Sequence, residues 1–128
     1  MFTLTKKADY GLSMLSVLAL RGRKGRVNLK ELAEMGMPRA FMSKIATSLV
    51  EAGILNSREG KGGGYGLNDE PKEIQVKKAL EAIEGEVEPV ICSECPMKGD
   101  CGQVSFMDKL TGDINSLLEK YTLEDLIR

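Results

Sequence analysis

The sequence predicts a mainly α-helical fold with one small β-hairpin, and two patterns support this. Three segments with apolar residues at helical spacing are followed by two short β-like runs around the glycines Gly62 to Gly64. A long helical stripe then occupies residues 104–121. A chain of 128 residues accommodates one domain with a hydrophobic core. Together these patterns predict a winged helix-turn-helix followed by a long C-terminal helix.

The first two helices have recognisable starts and stops. Thr5 is a candidate N-cap of the first helix, and Asn28 with Glu31 forms a pattern like a capping box at the second. Gly36 ends the second helix. The apolar positions of the first helix are Leu4, Ala8, Leu12, Leu15 and Ala19.

The third helix is predicted over residues 38–52, with Pro38 in its first turn and Gly53 as its stop. In a winged helix-turn-helix this helix enters the DNA major groove, and the hairpin lies beside the backbone or minor groove. Glycines in the hairpin let the main chain approach phosphates closely. The candidate DNA-binding residues are Arg39, Ser43, Lys44, Arg58, Lys61, Gly62, Gly63 and Tyr65.

Charge is unevenly distributed along the chain. Residues 1–67 hold eleven Lys or Arg against five Asp or Glu, a net of +6, whereas residues 68–128 hold seven against fourteen, a net of −7. A basic half suits a phosphate partner. The whole-chain net charge of −1 conceals this segregation, which favours double-stranded DNA as the partner over a merely solvated basic surface.

The sequence GKGGG superficially resembles a phosphate-binding loop of a nucleotide-binding protein. The GxxxxGK[ST] spacing is absent, and no long helix follows it. The glycines are therefore interpreted as a hairpin tip.

The C-terminal half begins with a short helix that includes Val76, Ala79, Leu80 and Ile83, and continues into a cysteine-containing loop. The long stripe after the loop has little beside it in sequence to pack against, although packing on its own domain remains an alternative to a partner. The expected organisation is a DNA-binding region over 1–67 and a loop and helix region over 68–128, within one compact domain. The stripe comprises Val104, Met107, Leu110, Ile114, Leu117 and Tyr121.

The chain resembles the Rrf-two family of bacterial transcription regulators. The similar segments are ADYGLSMLSVLAL, LKELAEMGMPRAFMSKIATSLVEAGIL, GKGGGYGL and IQVKKALEAIEG followed by clustered cysteines, in the family's order. The resemblance implies a homodimer, with the long C-terminal helix crossing the partner and an inverted-repeat operator. It implies a transcription factor, expected to be a repressor, that senses redox state, nitric oxide or iron. Glu59 stands where some members have a wing arginine, and Met37, Pro38 and Arg39 replace small polar residues, so the operator sequence is not implied.

Three clustered cysteines in a chain with no histidine favour a metal, a cluster or redox chemistry over a disulfide. Cys92, Cys95 and Cys101 follow the spacing C-x2-C-x5-C. Thiolates ligate both iron–sulfur clusters and structural zinc, but zinc generally takes four protein ligands. An iron–sulfur cluster, [2Fe–2S] or [4Fe–4S], fits three thiols better, and a zinc site or a bare thiol switch stays open as an alternative.

The family resemblance also implies a fourth ligand. In some members an aspartate in the first helix of the other subunit completes the cluster, and Asp9 occupies the matching place here. A solvated acid favoured by the helix dipole is the alternative interpretation. Glu94 and Asp100, inside the loop, are weaker candidates.

Other functional classes and the compartment are also constrained. An enzyme is not expected, because histidine, a nucleophile–base pair and a nucleotide motif are missing from the sequence. A metal-dependent protein-interaction adaptor remains a different possibility. The N-terminus lacks the pattern of a signal peptide, and no run of about 18 apolar residues occurs, so a cytoplasmic protein without membrane association is expected.

Overall fold

The structure is a computed structural model that describes residues 4–87, 96–97 and 101–128. In these ranges five α-helices and one antiparallel hairpin occur in the order α1, α2, α3, β1, β2, α4, α5, confirming the predicted fold class. Their bounds are α1 Lys6–Arg21, α2 Leu29–Glu34, α3 Arg39–Glu51, β1 Leu55–Arg58, β2 Gly64–Leu67, α4 Val76–Glu84 and α5 Val104–Glu119. Two 3₁₀ segments, Pro71–Glu73 and Leu123–Ile127, flank α4 and α5.

The predicted helix starts are confirmed by their hydrogen bonds. The Thr5 hydroxyl accepts from the backbone N–H of Ala8 at 3.1 Å, and the Asn28 side chain accepts from the N–H of Glu31 at 2.8 Å. Each bond satisfies a backbone donor that has no partner inside its helix. Pro38 is the N-cap of α3 rather than part of its first turn, because its ψ of 121° is extended.

The core is formed where α1 packs against α3, α4 and the C-terminal 3₁₀ helix. Leu15 of α1 and Ile45 of α3 have no solvent exposure, and all four predicted inward residues of α4 are buried. Gly11 allows α1 to approach α4, since a Cβ there would lie 2.3 Å from the Ile83 Cδ1 atom. This packing fixes the platform on which α2, α3 and the hairpin are held.

The C-terminus returns to the N-terminal helices. The N–H of Val76 donates to the Tyr121 carbonyl and that of Leu123 to the Ile74 carbonyl, both at 2.9 Å. A capping box joins Thr122 and Asp125. Leu123 is fully buried in the same core as α1. Residues from 1–67 and from 68–128 share this core. The assignment of DNA binding to the first range and of the cysteine loop and long helix to the second therefore stays a prediction about function.

The long C-terminal helix α5 is present, and none of its 16 residues is buried. Its contacts with the described parts of the chain are mainly with α4, including an ion pair of 2.9 Å between Lys77 and Glu119. Tyr121, the last residue of the predicted stripe, lies beyond the end of the helix. The stripe therefore forms a helix that packs only lightly on the part of its domain that the structure describes.

Candidate nucleic-acid interface

The hairpin, called the wing from here on, is pinned to the helices by backbone pairing. Within it Leu55 pairs with Leu67 and Arg58 with Gly64. On the other edge of β2, the N–H of Tyr65 donates to the Val27 carbonyl at 2.7 Å, and the N–H of Val27 donates back at 2.9 Å. The segment before α2 is thus joined to the wing.

Glycines shape the wing tip, although not as three equivalent residues. Gly60, Gly62 and Gly64 have positive φ, whereas Gly63 does not. A Cβ at Gly63 would lie 2.2 Å from the Arg58 carbonyl oxygen, so this position is glycine for lack of space. Positive φ at every second residue and the lack of space at Gly63 both require glycine. Because these residues have no side chain, a partner such as a phosphate can approach the main chain of the tip closely.

A cleft of about 740 Å³ lies between the wing and the starts of α2 and α3. Four cationic side chains line it, from three separate parts of the chain, against one carboxylate, Glu59. A concave cationic surface raises the local concentration of anions and suits phosphate groups. The cations are Lys30, Arg39, Arg58 and Lys61, and all four residues are exposed.

Six of the eight predicted DNA-binding residues line this cleft. They are Arg39, Arg58, Lys61, Gly62, Gly63 and Tyr65. The other two, Ser43 and Lys44, lie about one turn further along α3 and do not line it. Lys44 is exposed and Ser43 is half-buried.

Seven lining residues are not among the predicted DNA-binding residues, and three of these seven have neutral polar or cationic side chains: Asn28, Lys30 and Ser57. Asn28 and Lys30 are about thirty residues from the wing in sequence, and the pairing of Val27 with Tyr65 brings them together. One signal was available: Val27 is a single β-branched residue just before a helix cap, in a position suited to edge pairing.

Of the cysteine loop, the structure describes residues 96–97 and Cys101. Cys101 is half-buried and lies two residues before Gln103, the N-cap of α5. Cys92, Cys95, Glu94 and Asp100 lie outside the described residues. Within residues 4–87, 96–97 and 101–128, no three side chains of His, Cys, Asp or Glu are grouped to hold a metal ion.

Asp9 is exposed in the first turn of α1. The end of α4 is close by, since the hydroxyl of Thr5, the N-cap of α1, donates to the Glu84 carboxylate. Residue 87, the last described residue before the loop, follows three positions later. The start of α1 and the end of α4, which leads toward the loop, are therefore neighbours in the fold.

None of the helices in the described ranges is long and apolar enough to span a bilayer.

A helix-turn-helix with a glycine-tipped wing and a cationic cleft between them defines a DNA-binding transcription regulator. Residues 4–128 match the model of the Rrf2 (Rrf-two) family, described as an iron-dependent transcriptional regulator, and the chain belongs to this family. Its relatives are transcription regulators and not enzymes, as the sequence predicted.

Individual relatives cover nearly the whole chain. The transcriptional repressor NsrR of Streptomyces coelicolor is 30% identical over 97% of this chain and 87% of its own length. Among solved structures, CymR, the global cysteine regulator of B. subtilis, superposes with a TM-score of 0.78 at 28% identity, covering 99% of this chain and 97% of CymR. T. potens IscR gives a TM-score of 0.78 at 27% identity, covering 98% of this chain and 86% of IscR.

Proposed function

We propose that this protein is a homodimeric repressor that binds an inverted-repeat operator and responds to redox state, nitric oxide or iron through an iron–sulfur cluster. The observation that carries the proposal is the cleft, which gathers the start of α3, the start of α2 and the wing tip on one cationic surface. Family membership supplies the class of regulator.

In this proposal the start of α3 enters the major groove, where Arg39, Ser43 and Lys44 reach base edges or phosphates. The wing tip lies along the adjacent backbone, with Arg58 and Lys61 on phosphates. Gly62, Gly63 and Tyr65 form the surface that faces the DNA. Lys30 adds a phosphate contact from α2, because it lines the same cleft.

The partner proposed for α5 is a second copy of the chain. Phe106 and Leu117 are 59% and 49% exposed, and at 3.6 residues per turn they lie within about 20° of each other on the helix. Leu118, about 100° further round, packs against the core instead. The helix thus carries two apolar faces, of which the described residues of its own domain cover one. Antiparallel or crossed packing with a second α5 would cover the other and place two α3 helices on successive major grooves.

The cluster, [2Fe–2S] or [4Fe–4S], is proposed to be held by Cys92, Cys95 and Cys101, with Asp9 of the partner subunit as the fourth ligand. The donor set fits, since three thiolates with one non-cysteine ligand are suited to iron. When bound, the cluster would supply a redox-sensitive and iron-dependent link across the loop.

The described residues offer a route from that loop to α5. Cys101 lies two residues before the cap of α5. At the other end of the loop, the Asn115 side chain of α5 donates to the Val87 carbonyl at 3.2 Å. Both ends of the loop thus lie against α5 or follow α4 of the same chain. The conformation of the loop would therefore set the tilt of α5, and with it the spacing of the two DNA-binding surfaces in the dimer.

The test is anaerobic purification of wild type, Asp9→Ala and Asp69→Ala, with absorption spectra and analysis of iron, acid-labile sulfide and zinc. Asp69 is also an exposed aspartate, far from the loop in sequence, and serves as the matched control. Brown protein that contains iron and sulfide, altered in Asp9→Ala and not in Asp69→Ala, is expected. Protein that stays colourless after anaerobic reconstitution would remove the cluster from the proposal.

DNA binding is tested separately, by selecting duplexes from a random pool with the purified protein. Recovery of an inverted repeat with half-sites one helical turn apart is expected. Failure to enrich any duplex, with or without metal, would contradict DNA reading and favour a metal-dependent protein-interaction adaptor.

A thiol switch or zinc site without a cluster is the second candidate, and the similarity to CymR over 99% of this chain favours considering it. Reversible oxidation of the cysteines would then replace the cluster as the signal. Operator affinity that changes with diamide and recovers with dithiothreitol, in iron-free protein, would identify this mechanism.

A further inference from the structure

Arg26, in the connection between α1 and α2, binds both strands of the wing. Its Nη2 donates to the Asn56 side-chain oxygen on β1 at 2.5 Å and to the Gly64 carbonyl on β2 at 3.0 Å. A planar guanidinium can satisfy two acceptors in fixed geometry, which a lysine ammonium cannot reproduce. Both contacts hold the wing from beneath, and Arg26 does not line the cleft.

The wing has a space that matches this guanidinium. Gly66 is the buried β2 residue opposite Asn56. A Cβ at Gly66 would lie 2.9 Å from Arg26 Nη1 and 3.3 Å from its Cζ. Gly66 does not have positive φ, so its backbone conformation is open to other residues. The Arg26 guanidinium, together with the Gly25 carbonyl oxygen at 3.2 Å, therefore fills the space that a side chain at Gly66 would need.

The main chain of Arg26 is held from the other side. Its carbonyl accepts from Arg21 Nη1 at 2.5 Å, and Arg21 Nη2 forms an ion pair with Glu31 of α2 at 2.8 Å. The end of α1, the start of α2 and both wing strands thus converge on Arg26.

Arg26 is retained in an unfavourable setting for a cation. Its Nε is buried, with no hydrogen-bond partner in the part of the chain that the structure describes. Partial burial, and secondarily the charge of Arg58, lower the pKa of Arg26 from its ordinary value. A residue whose only role was to attract the DNA phosphates by its charge would be better solvated.

We propose that Arg26 is the positioning residue of the wing: it fixes the wing against the helix-turn-helix and so sets the shape of the DNA-binding cleft without contacting DNA itself. The inference rests on the proposed DNA-binding function. Arg26 would act through its hydrogen bonds to Asn56 and Gly64 and through its packing against the glycine at position 66.

The test compares Arg26→Lys, Asn56→Ala and Arg58→Gln with wild type, on the duplex that wild type selects from a random pool, over a range of salt concentrations. Arg26→Lys is expected to weaken binding about tenfold at fixed salt, with an unchanged slope of log K against log salt. Arg58→Gln, which removes a phosphate contact, is expected to reduce that slope by about 1. Arg23→Lys is the matched control, because Arg23 is exposed in the same connection.

Asn56→Ala keeps every charge and keeps Arg26, so it remains informative if the arginine variant folds poorly. It is expected to weaken binding in the same direction, again with unchanged salt slope. Combining Arg26→Lys with Gly66→Ala should cost less than the sum of the two single changes, because the space at Gly66 is then no longer filled by a guanidinium.

A second readout does not depend on DNA. Hydrogen exchange at the paired amides of Val27 and Tyr65 should be faster in Arg26→Lys and Asn56→Ala than in wild type and Arg23→Lys. Unchanged exchange with unchanged affinity would overturn the proposal. Full affinity in Arg26→Lys, together with a reduced salt slope in Arg26→Gln, would also overturn it, by making Arg26 a phosphate contact. If wild type selects no duplex, the proposed function fails, but the exchange experiment still tests the role of Arg26. Faster exchange at Val27 and Tyr65 in Arg26→Lys would then support a wing held by Arg26, and unchanged exchange would contradict it.

Discussion

The helix-turn-helix with its wing and the long C-terminal helix are opposite in how they are stabilised. In α3, Met42, Ile45, Ala46 and Leu49 are buried, whereas α5, three residues longer, has no buried residue. The wing is held by backbone pairing on both edges of β2. By contrast, the contacts of α5 within the described chain are mainly with one neighbour, α4.

The difference suggests a division of tasks. The reading surface requires fixed geometry, since side chains must meet base edges and phosphates in register, and a shared core supplies it. A lightly packed helix is free to be covered by a partner and to change its tilt at small cost.

The largest effect is expected from a leucine in the core of the helix-turn-helix. Leu49→Ala should lower the free energy of unfolding by about 2–5 kcal/mol, because it leaves a cavity in a fully buried site. Leu117→Ala is the matched change on α5, where the side chain is 49% exposed. In dilute protein it should cost less than about 0.5 kcal/mol. Urea unfolding of both variants measures the difference, and equal losses would remove the contrast.

The next largest effect concerns assembly. Phe106→Glu should weaken self-association about a hundredfold, because a charge would be placed in the centre of an apolar interface. Ser105→Glu adds the same charge to an exposed neighbour on another face of α5 and should leave association unchanged. Sedimentation velocity over a concentration series distinguishes them. Dissociation by both variants, or by neither, would contradict the proposed face.

A smaller effect is expected for one cation of the wing tip. Lys61→Gln should weaken DNA binding about five- to tenfold at moderate salt and reduce the salt slope by about 1, since one phosphate contact is lost. Lys72→Gln, an exposed lysine outside the cleft, is the control and should change neither. Fluorescence anisotropy on the selected duplex gives both values. A slope unaffected by Lys61→Gln would place this residue off the DNA backbone.

The smallest effect is a pH dependence of stability that arises from Glu31 in the helix-turn-helix. The hydrogen bond from Arg21, aided by its charge, lowers the pKa of Glu31 from the ordinary value of 4.5. The stabilisation is therefore present above pH 4.5 and is lost as pH falls through the lowered pKa. Glu31→Gln should cost about 0.2–1 kcal/mol at pH 7, as for a partly exposed pair.

Thermal melts between pH 7 and pH 3 check this prediction. The difference between Glu31→Gln and wild type should shrink at the acid end, whereas Glu34→Gln, an exposed glutamate of the same helix, should show no such trend. A difference that grows with falling pH would reverse the assigned sign.

Much of the fold was predictable because local chemistry specifies it. Thr5 and Asn28 begin helices through their own side-chain hydrogen bonds, and Gly53, with φ of 80°, ends α3. Six of the eight predicted DNA-binding residues lie together in the cleft, because the order of helix and hairpin already implies their proximity.

Other features depend on long-range contacts. Lys30 was missed because only the pairing of Val27 with Tyr65 brings the start of α2 to the wing. Arg26 lies in a basic connection, and nothing in the neighbouring sequence distinguishes it from Arg23. The two apolar faces of α5 were read as a single stripe, since periodicity gives a direction around a helix but not the neighbour in that direction.

The helix ends, the glycine-tipped wing, the segregation of charge and the family could all be predicted before the fold was known, because each depends on residues close together in the chain or on their order. The three-dimensional packing was needed to show which cations share a cleft and which side chain fills the space at Gly66. It also decided which face of α5 remains uncovered. These depend on distances between residues that are far apart in the chain, such as Arg26 and Asn56 at a separation of thirty positions, and packing of the whole core sets such distances.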